Sequence, residues 1–116
     1  MPVVKIFYKQ DLENKIEKNL SGLEKGINDV LLSIMKADPL KCQILFLPVR
    51  HCSPLPVFVD FQFREQTYRT RAVLEEAMNI ISETLMACLN VDVRIRAFDI
   101  KPELLHALDR LVGEDA

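Results

Sequence analysis

The chain has 116 residues, of which 49% are hydrophobic and 28% charged, with a formal net charge of -2. That length fits one domain whose core is small enough for oligomerisation to help stabilise it. The near-neutral balance excludes the basic footprint of a nucleic-acid binder, so any anion site must be local.

Cys42, Cys52 and Cys88 form an odd set without a C-x-x-C pair. The sequence shows neither a signal peptide nor an apolar run of ~18 residues. A reduced, cytoplasmic protein with no membrane partner is expected. His51 beside Cys52 suggests a metal, but the only other histidine is His106 and no carboxylate or cysteine stands at ligand spacing. No metal and no cofactor are expected.

The opening stretch, Met1-Pro2-Val3-Val4-Lys5-Ile6-Phe7-Tyr8, runs a proline straight into a strand. Alternation sets Val4, Ile6 and Tyr8 on one face and Val3, Lys5 and Phe7 on the other. Asp11 is the expected N-cap of a long helix, with Leu12, Ile16, Leu20, Leu23, Ile27, Val30, Leu31 and Ile34 recurring at three- and four-residue steps up to Met35. Gly22 and Gly26 each weaken that helix by ~1 kcal/mol relative to alanine, and their spacing allows a close neighbour. Cys42 to Leu47 reads as a strand covered on both faces and stopped by Pro48. An irregular connection from Val49 to Leu55 follows.

Val57, Val59, Phe61 and Phe63 then alternate with Phe58, Asp60 and Gln62 in a half-buried strand ending at Arg64. A second helix spans about Tyr68 to Leu89, striped by Leu74, Ala77, Met78, Ile81, Leu85 and Cys88, with Tyr68, Arg69 and Arg71 at its solvated start. The last strand covers Val91 to Phe98, and a short helix over 102–112, opened by Pro102, carries Leu104, Leu105, Leu108, Leu111 and Val112 in a stripe that a neighbouring subunit would cover. The fold class is α+β. Two β-α-β units, 2–47 and 56–98, form a four-stranded mixed sheet with two helices on one face, and the repeated Pro2-Val3 and Pro56-Val57 openings suggest duplication.

Candidate chemistry gathers on the other face of the sheet. Arg94 and Arg96 project on one side of their strand ~6.5–7 Å apart, a spacing suited to clamping one carboxylate; the alternatives are an intersubunit salt bridge to Asp60 or Asp92, or a solvated face. Arg64 ends a strand, where it is a second anion-binding candidate or else caps a turn with Glu65. Arg50, with His51, sits in an irregular loop of the kind where sites occur. Pro2, once Met1 is removed, becomes a secondary amine. An α-amino group titrates at ~8, and nearby cations would push it lower and leave it a neutral base.

The leading Met-Pro, the doubled units and the final Val93-Arg94-Ile95-Arg96-Ala97-Phe98-Asp99-Ile100 resemble the tautomerase superfamily, over Pro2 to about Leu105. Its members include macrophage migration inhibitory factor, carboxymethyl-hydroxymuconate isomerase and cis-3-chloroacrylic acid dehalogenase. The chain also resembles an uncharacterised bacterial family of this fold in which a segment like Phe63-Arg64-Glu65-Gln66 precedes the second long helix. The resemblance implies a homotrimer, sites at subunit boundaries and a processed terminal proline as general base, which maps onto Pro2. Arg64 matches the dehalogenase arginine that binds the substrate carboxylate, whereas that enzyme's second arginine is Thr67 here. Where macrophage migration inhibitory factor has a tyrosine and an asparagine on the last strand, this chain has Arg94 and Arg96. The glycine-rich loop of that protein is replaced by the shorter His51-Cys52-Ser53-Pro54-Leu55-Pro56.

Three functional readings stand. The first is a tautomerase-like enzyme acting on a small anionic keto or enol acid, with Pro2 as base and Arg64, Arg94, Arg96 and Arg50 as substrate-binding cations. The second is a trimer of the same fold that binds or assembles while Pro2 stays idle. The third is a ferredoxin-like RNA or ligand binder, which would display aromatics on its first and third strands.

Overall fold

β-branched and aromatic residues at every second position drive the strands, and the computed structural model, which describes residues 2–113, shows four of them in one sheet. The order is β1 (Val3–Lys9), α1 (Glu13–Ser33), β2 (Gln43–Val49), β3 (Val57–Arg64), α2 (Arg71–Leu89) and β4 (Val93–Ile100). In the sheet the strands run β2-β1-β3-β4. β1 pairs in parallel with β2 and β3 with β4, while the two central strands are antiparallel. Each helix is therefore the crossover of its own unit, as expected for a duplicated chain. A ferredoxin-like split arrangement exchanges the edge strands between units, so the observed pairing sets that reading aside.

The core lies between one sheet face and the helices. Val4, Ile6 and Tyr8 from β1 and Val57, Val59, Phe61 and Phe63 from β3 are buried there against Ile16, Leu23, Ile27 and Leu31 of α1 and Ala77, Ile81, Leu85 and Leu89 of α2. At roughly 1.5–3 kcal/mol for each large side chain removed from water, this layer dominates stability. The helices approach closely at Gly26, where an added Cβ would meet Thr84 Cγ2 at 3.3 Å.

Several boundaries differ from the sequence reading for physical reasons. Asp11 does not cap α1; a 3₁₀ turn over Gln10–Leu12 leads into it, and Leu12 stands at the N-cap with no side-chain bond. Asp38 instead caps the short turn Pro39–Lys41, accepting from Leu40 N–H. β2 is an edge strand with no fully buried residue, so it is not covered on both faces, and it continues through Pro48, whose missing N–H is harmless at an edge. α2 begins at Arg71, later than expected, because Thr70 caps it by accepting from Val73 N–H. β4 starts at Val93 and extends to Ile100.

The expected helix over 102–112 is absent. Only a 3₁₀ turn, Pro102–Leu104, forms, and Leu104, Leu108, Leu111 and Val112 are exposed. So short a helix is stable only when its apolar stripe is packed, and one chain offers nothing to pack it.

Candidate functional site

Pro2 stands at the head of β1, buried, with its carbonyl accepting from Gln43 N–H at 3.0 Å. Val3 pairs with Gln62 across the antiparallel ladder, which sets Pro2 opposite Phe63 and beside Arg64. Pro2 and Arg64 thus share one end of the sheet, where β1 begins and β3 ends. The Arg64 Nε is buried without a hydrogen-bond partner among the described residues. A buried donor left unpaired costs about 1–3 kcal/mol, so this atom calls for an acceptor beyond the described residues.

What holds Arg64 is a residue that the sequence reading placed on the solvated start of a helix. Arg69 is 7% exposed. Its Nη1 donates to the Arg64 carbonyl at 2.7 Å and its Nε to the Met35 carbonyl at 3.1 Å. The Met35 carbonyl is free to accept because Lys36 turns into the left-handed region, φ 54°, just after α1 ends. Tyr68 lies across this cluster, with the Arg69 guanidinium carbon 5.5 Å and Lys36 Nζ 5.9 Å from its ring centroid. Sequence reasoning missed Arg69 because nothing local distinguishes it from an exposed residue before an N-cap.

The remaining candidates sit elsewhere within one chain. Arg94 is in register with Phe58 and Phe7, and Arg96 with Asp60 and Lys5, on the sheet face away from the helices. With ~3.3 Å per residue and ~4.8 Å per strand, their backbones lie roughly 19 and 14 Å from Pro2. Lys5 and Arg96 flank Asp60 across the strands, yet Asp60 accepts from Gln62 Nε2 at 3.3 Å and Arg96 donates to the Ile95 carbonyl at 3.0 Å. No ion pair joins Asp60 to Arg94 or Arg96 among the described residues. Arg50 follows Val49, which pairs with Lys9, so it stands at the opposite end of the sheet from Pro2.

After β4 the chain crosses the Pro2 end of the sheet towards β2, where Asp109 Oδ2 meets Lys41 Nζ at 3.3 Å. Beneath this crossing lies a cleft of about 790 Å³, bounded by Val3, Cys42 and Gln43 on one side and Leu108, Arg110 and Leu111 on the other. Burial raises the Cys42 thiol above its ordinary value, Asp38 adding to the shift and Arg69 opposing it. At neutral pH it is a protonated, weakly nucleophilic group. At the other end of β1 the buried Tyr8 hydroxyl donates to Glu13, and burial first, then Glu13, raises its pKa well above the ordinary value. Tyr8 belongs to the core and not to the Pro2 end.

Among the described residues no three histidine, cysteine or acidic side chains converge on a metal position. No helix there is long and apolar enough to cross a membrane.

No protein-family model and no curated protein matches the sequence. Solved structures match its backbone. Pt0534 inactivated by 2-oxo-3-pentynoate aligns at TM-score 0.73 and 16% identity, covering 96% of this chain and 92% of that one. N1, a member of the cis-3-chloroacrylic acid dehalogenase family, aligns at TM-score 0.73 and 14% identity over 97% and 84%. A 5-carboxymethyl-2-hydroxymuconate delta-isomerase aligns at TM-score 0.62 and 16% identity over 95% and 88%. Other matches are trimers of fused 4-OT. These structures belong to the tautomerase superfamily, and the chain has the fold of that superfamily.

Proposed function

We propose that the chain is a tautomerase-like enzyme that moves a proton between oxygen and carbon of a small carboxylate-bearing keto or enol acid. The observation that carries this reading is that Pro2 and Arg64 stand at the same end of the sheet, where the Arg64 Nε is buried without an acceptor among the described residues. In ketonisation, the Pro2 nitrogen, freed by removal of Met1, takes the enol proton; the O–H electron pair becomes the carbonyl π bond, and the C=C π pair takes the proton back at carbon as the new C–H bond. Arg64 holds the carboxylate. Its charge lowers the pKa of the amine and stabilises the developing enolate. Inactivation of Pt0534 by a 2-oxo acid supports this substrate class.

Arg94, Arg96 and Arg50 are distant from Pro2 within one chain, and in this reading they clamp the anion across the boundaries of a homotrimer, a state supported by the trimeric matches. No cofactor enters the reaction. A reduced, cytoplasmic setting suits the free Cys42, Cys52 and Cys88.

One observation favours the second reading, a trimer that binds or assembles without catalysis: Pro2 is buried. An assay of phenylenolpyruvate and 2-hydroxymuconate ketonisation separates the two, using protein whose intact mass shows loss of Met1. Pro2→Ala should slow turnover by about 10²–10⁴-fold, the usual worth of a general base. Equal rates in the variant and the wild type would support the idle-proline reading.

A further inference from the structure

We infer that Arg69 is a positioning residue: it fixes the strand end that carries Arg64, and so aims the Arg64 guanidinium at the carboxylate of the substrate. The inference rests on the tautomerase-like reading for its substrate, and on three observations for its geometry. First, Arg69 bonds the Arg64 carbonyl and not its side chain, at 2.7 Å, so it constrains where Arg64 sits and leaves its guanidinium donors unspent. Second, the segment from Arg64 to Arg69 is a closed loop. Glu65 N–H donates to the Ile100 carbonyl at 2.8 Å, Arg69 N–H donates to the Gln66 carbonyl at 3.0 Å, and the Arg69 side chain returns to the start of the loop. Third, the other arm of the Arg69 fork is anchored at 3.1 Å on the Met35 carbonyl, two residues past the end of α1, so the strand end is tied to a second element.

The choice of arginine has a reason. Its planar fork reaches two carbonyls on separate elements at once, whereas a lysine ammonium on a flexible stem is a point donor that fixes neither direction. At 7% exposure, with its Nε and Nη1 already donating to two carbonyls, Arg69 is committed to the backbone, while Arg64 keeps a buried Nε–H with no acceptor among the described residues. The two arginines therefore divide the work: Arg64 contacts the anion and Arg69 sets its position.

The test combines kinetics with an arginine-side-chain NMR signal. In the wild type, the Arg64 Nε–H should give a dispersed, rigid cross-peak; a random-coil, mobile peak would overturn the proposal without any variant. Arg69→Lys should raise the KM for phenylenolpyruvate about tenfold, corresponding to about 1.4 kcal/mol, and leave kcat within about twofold. It should also move the Arg64 cross-peak towards the random-coil position. In an Arg64→Ala background, Arg69→Lys should add no further rise in KM, because it acts only through Arg64. Should Arg69→Lys fail to fold, Arg69→Gln, which keeps a neutral donor, takes its place. A lowered melting temperature with unchanged KM and an unmoved Arg64 peak, or KM effects that multiply in the double variant, would overturn the positioning role. If the wild type shows no turnover, the proposed function falls, and the NMR signal alone decides the role of Arg69.

Discussion

The Gln43 N–H donates to the Pro2 carbonyl at 3.0 Å, one step before the β1–β2 ladder begins with Val3 paired to Gln43. The anchor uses only backbone atoms, so any residue at position 2 keeps it. What proline adds is a fixed φ and, after processing, a secondary amine. Pro2→Ala is therefore expected to cost less than about 1 kcal/mol of stability while removing the proposed base. Chemical denaturation checks the first part, and a large loss of stability would show that Pro2 is chiefly structural.

Tyr8 provides a pH signature independent of the site. Its phenol titrates at ~10 when unfolded, and burial together with Glu13 raises it in the fold. Above pH ~10 the unfolded chain has released a proton that the folded chain retains, so stability is intact below that pH and falls as pH rises through the folded value. The wild-type melting temperature should drop between about pH 10 and 12 more steeply than that of Tyr8→Phe. Parallel curves would remove Tyr8 as the cause.

The two helix glycines should behave differently. An added Cβ at Gly22 meets nothing within 4 Å, so Gly22→Ala should stabilise by about 1 kcal/mol through helix propensity alone. At Gly26 the Cβ would press on Thr84 Cγ2 at 3.3 Å, and Thr84 is held by its hydroxyl, which donates to the Ile80 carbonyl at 2.7 Å. Gly26→Ala should gain less or lose stability, and Thr84→Ser should recover the difference. Equal gains at both glycines in thermal melts would contradict this packing.

The exposed leucines after β4 bear on assembly. Leu108 and Leu111 contribute nothing to the buried core of one chain. Substituting both with serine should leave the unfolding of a monomer nearly unchanged and weaken self-association, by roughly 1.5–3 kcal/mol for each side chain buried between copies. Sedimentation over a concentration series reads the effect; association equal to wild type would mean that these residues stay solvated in the oligomer.

Much of the fold is legible in the sequence because period-two and period-three-to-four patterns are local. Val4, Ile6 and Tyr8, or Val57, Val59 and Phe61, announce their buried face without a partner, and the repeated units imply parallel pairing. The limits are tertiary. Pro48 looks like a strand end until β2 is known to be an edge, and the leucines from Leu104 to Leu111 look helical until they are seen to lack a surface to pack on. In the site, the shared face of Arg94 and Arg96 follows from alternation. Their distance from Pro2 depends on strand order, which no local pattern encodes. Arg69 was invisible for the same reason, since its value lies in the Met35 and Arg64 carbonyls that the fold brings to it.

The central claim is that the Pro2 nitrogen is a free base near neutral pH. Titration of protein labelled with ¹⁵N-proline, followed by the chemical shift of the Pro2 nitrogen, measures it directly. The account predicts a single ionisation below the ordinary α-amino value of ~8. A Pro2 nitrogen that keeps an amide shift at every pH, or an amine that titrates above that value, would contradict it.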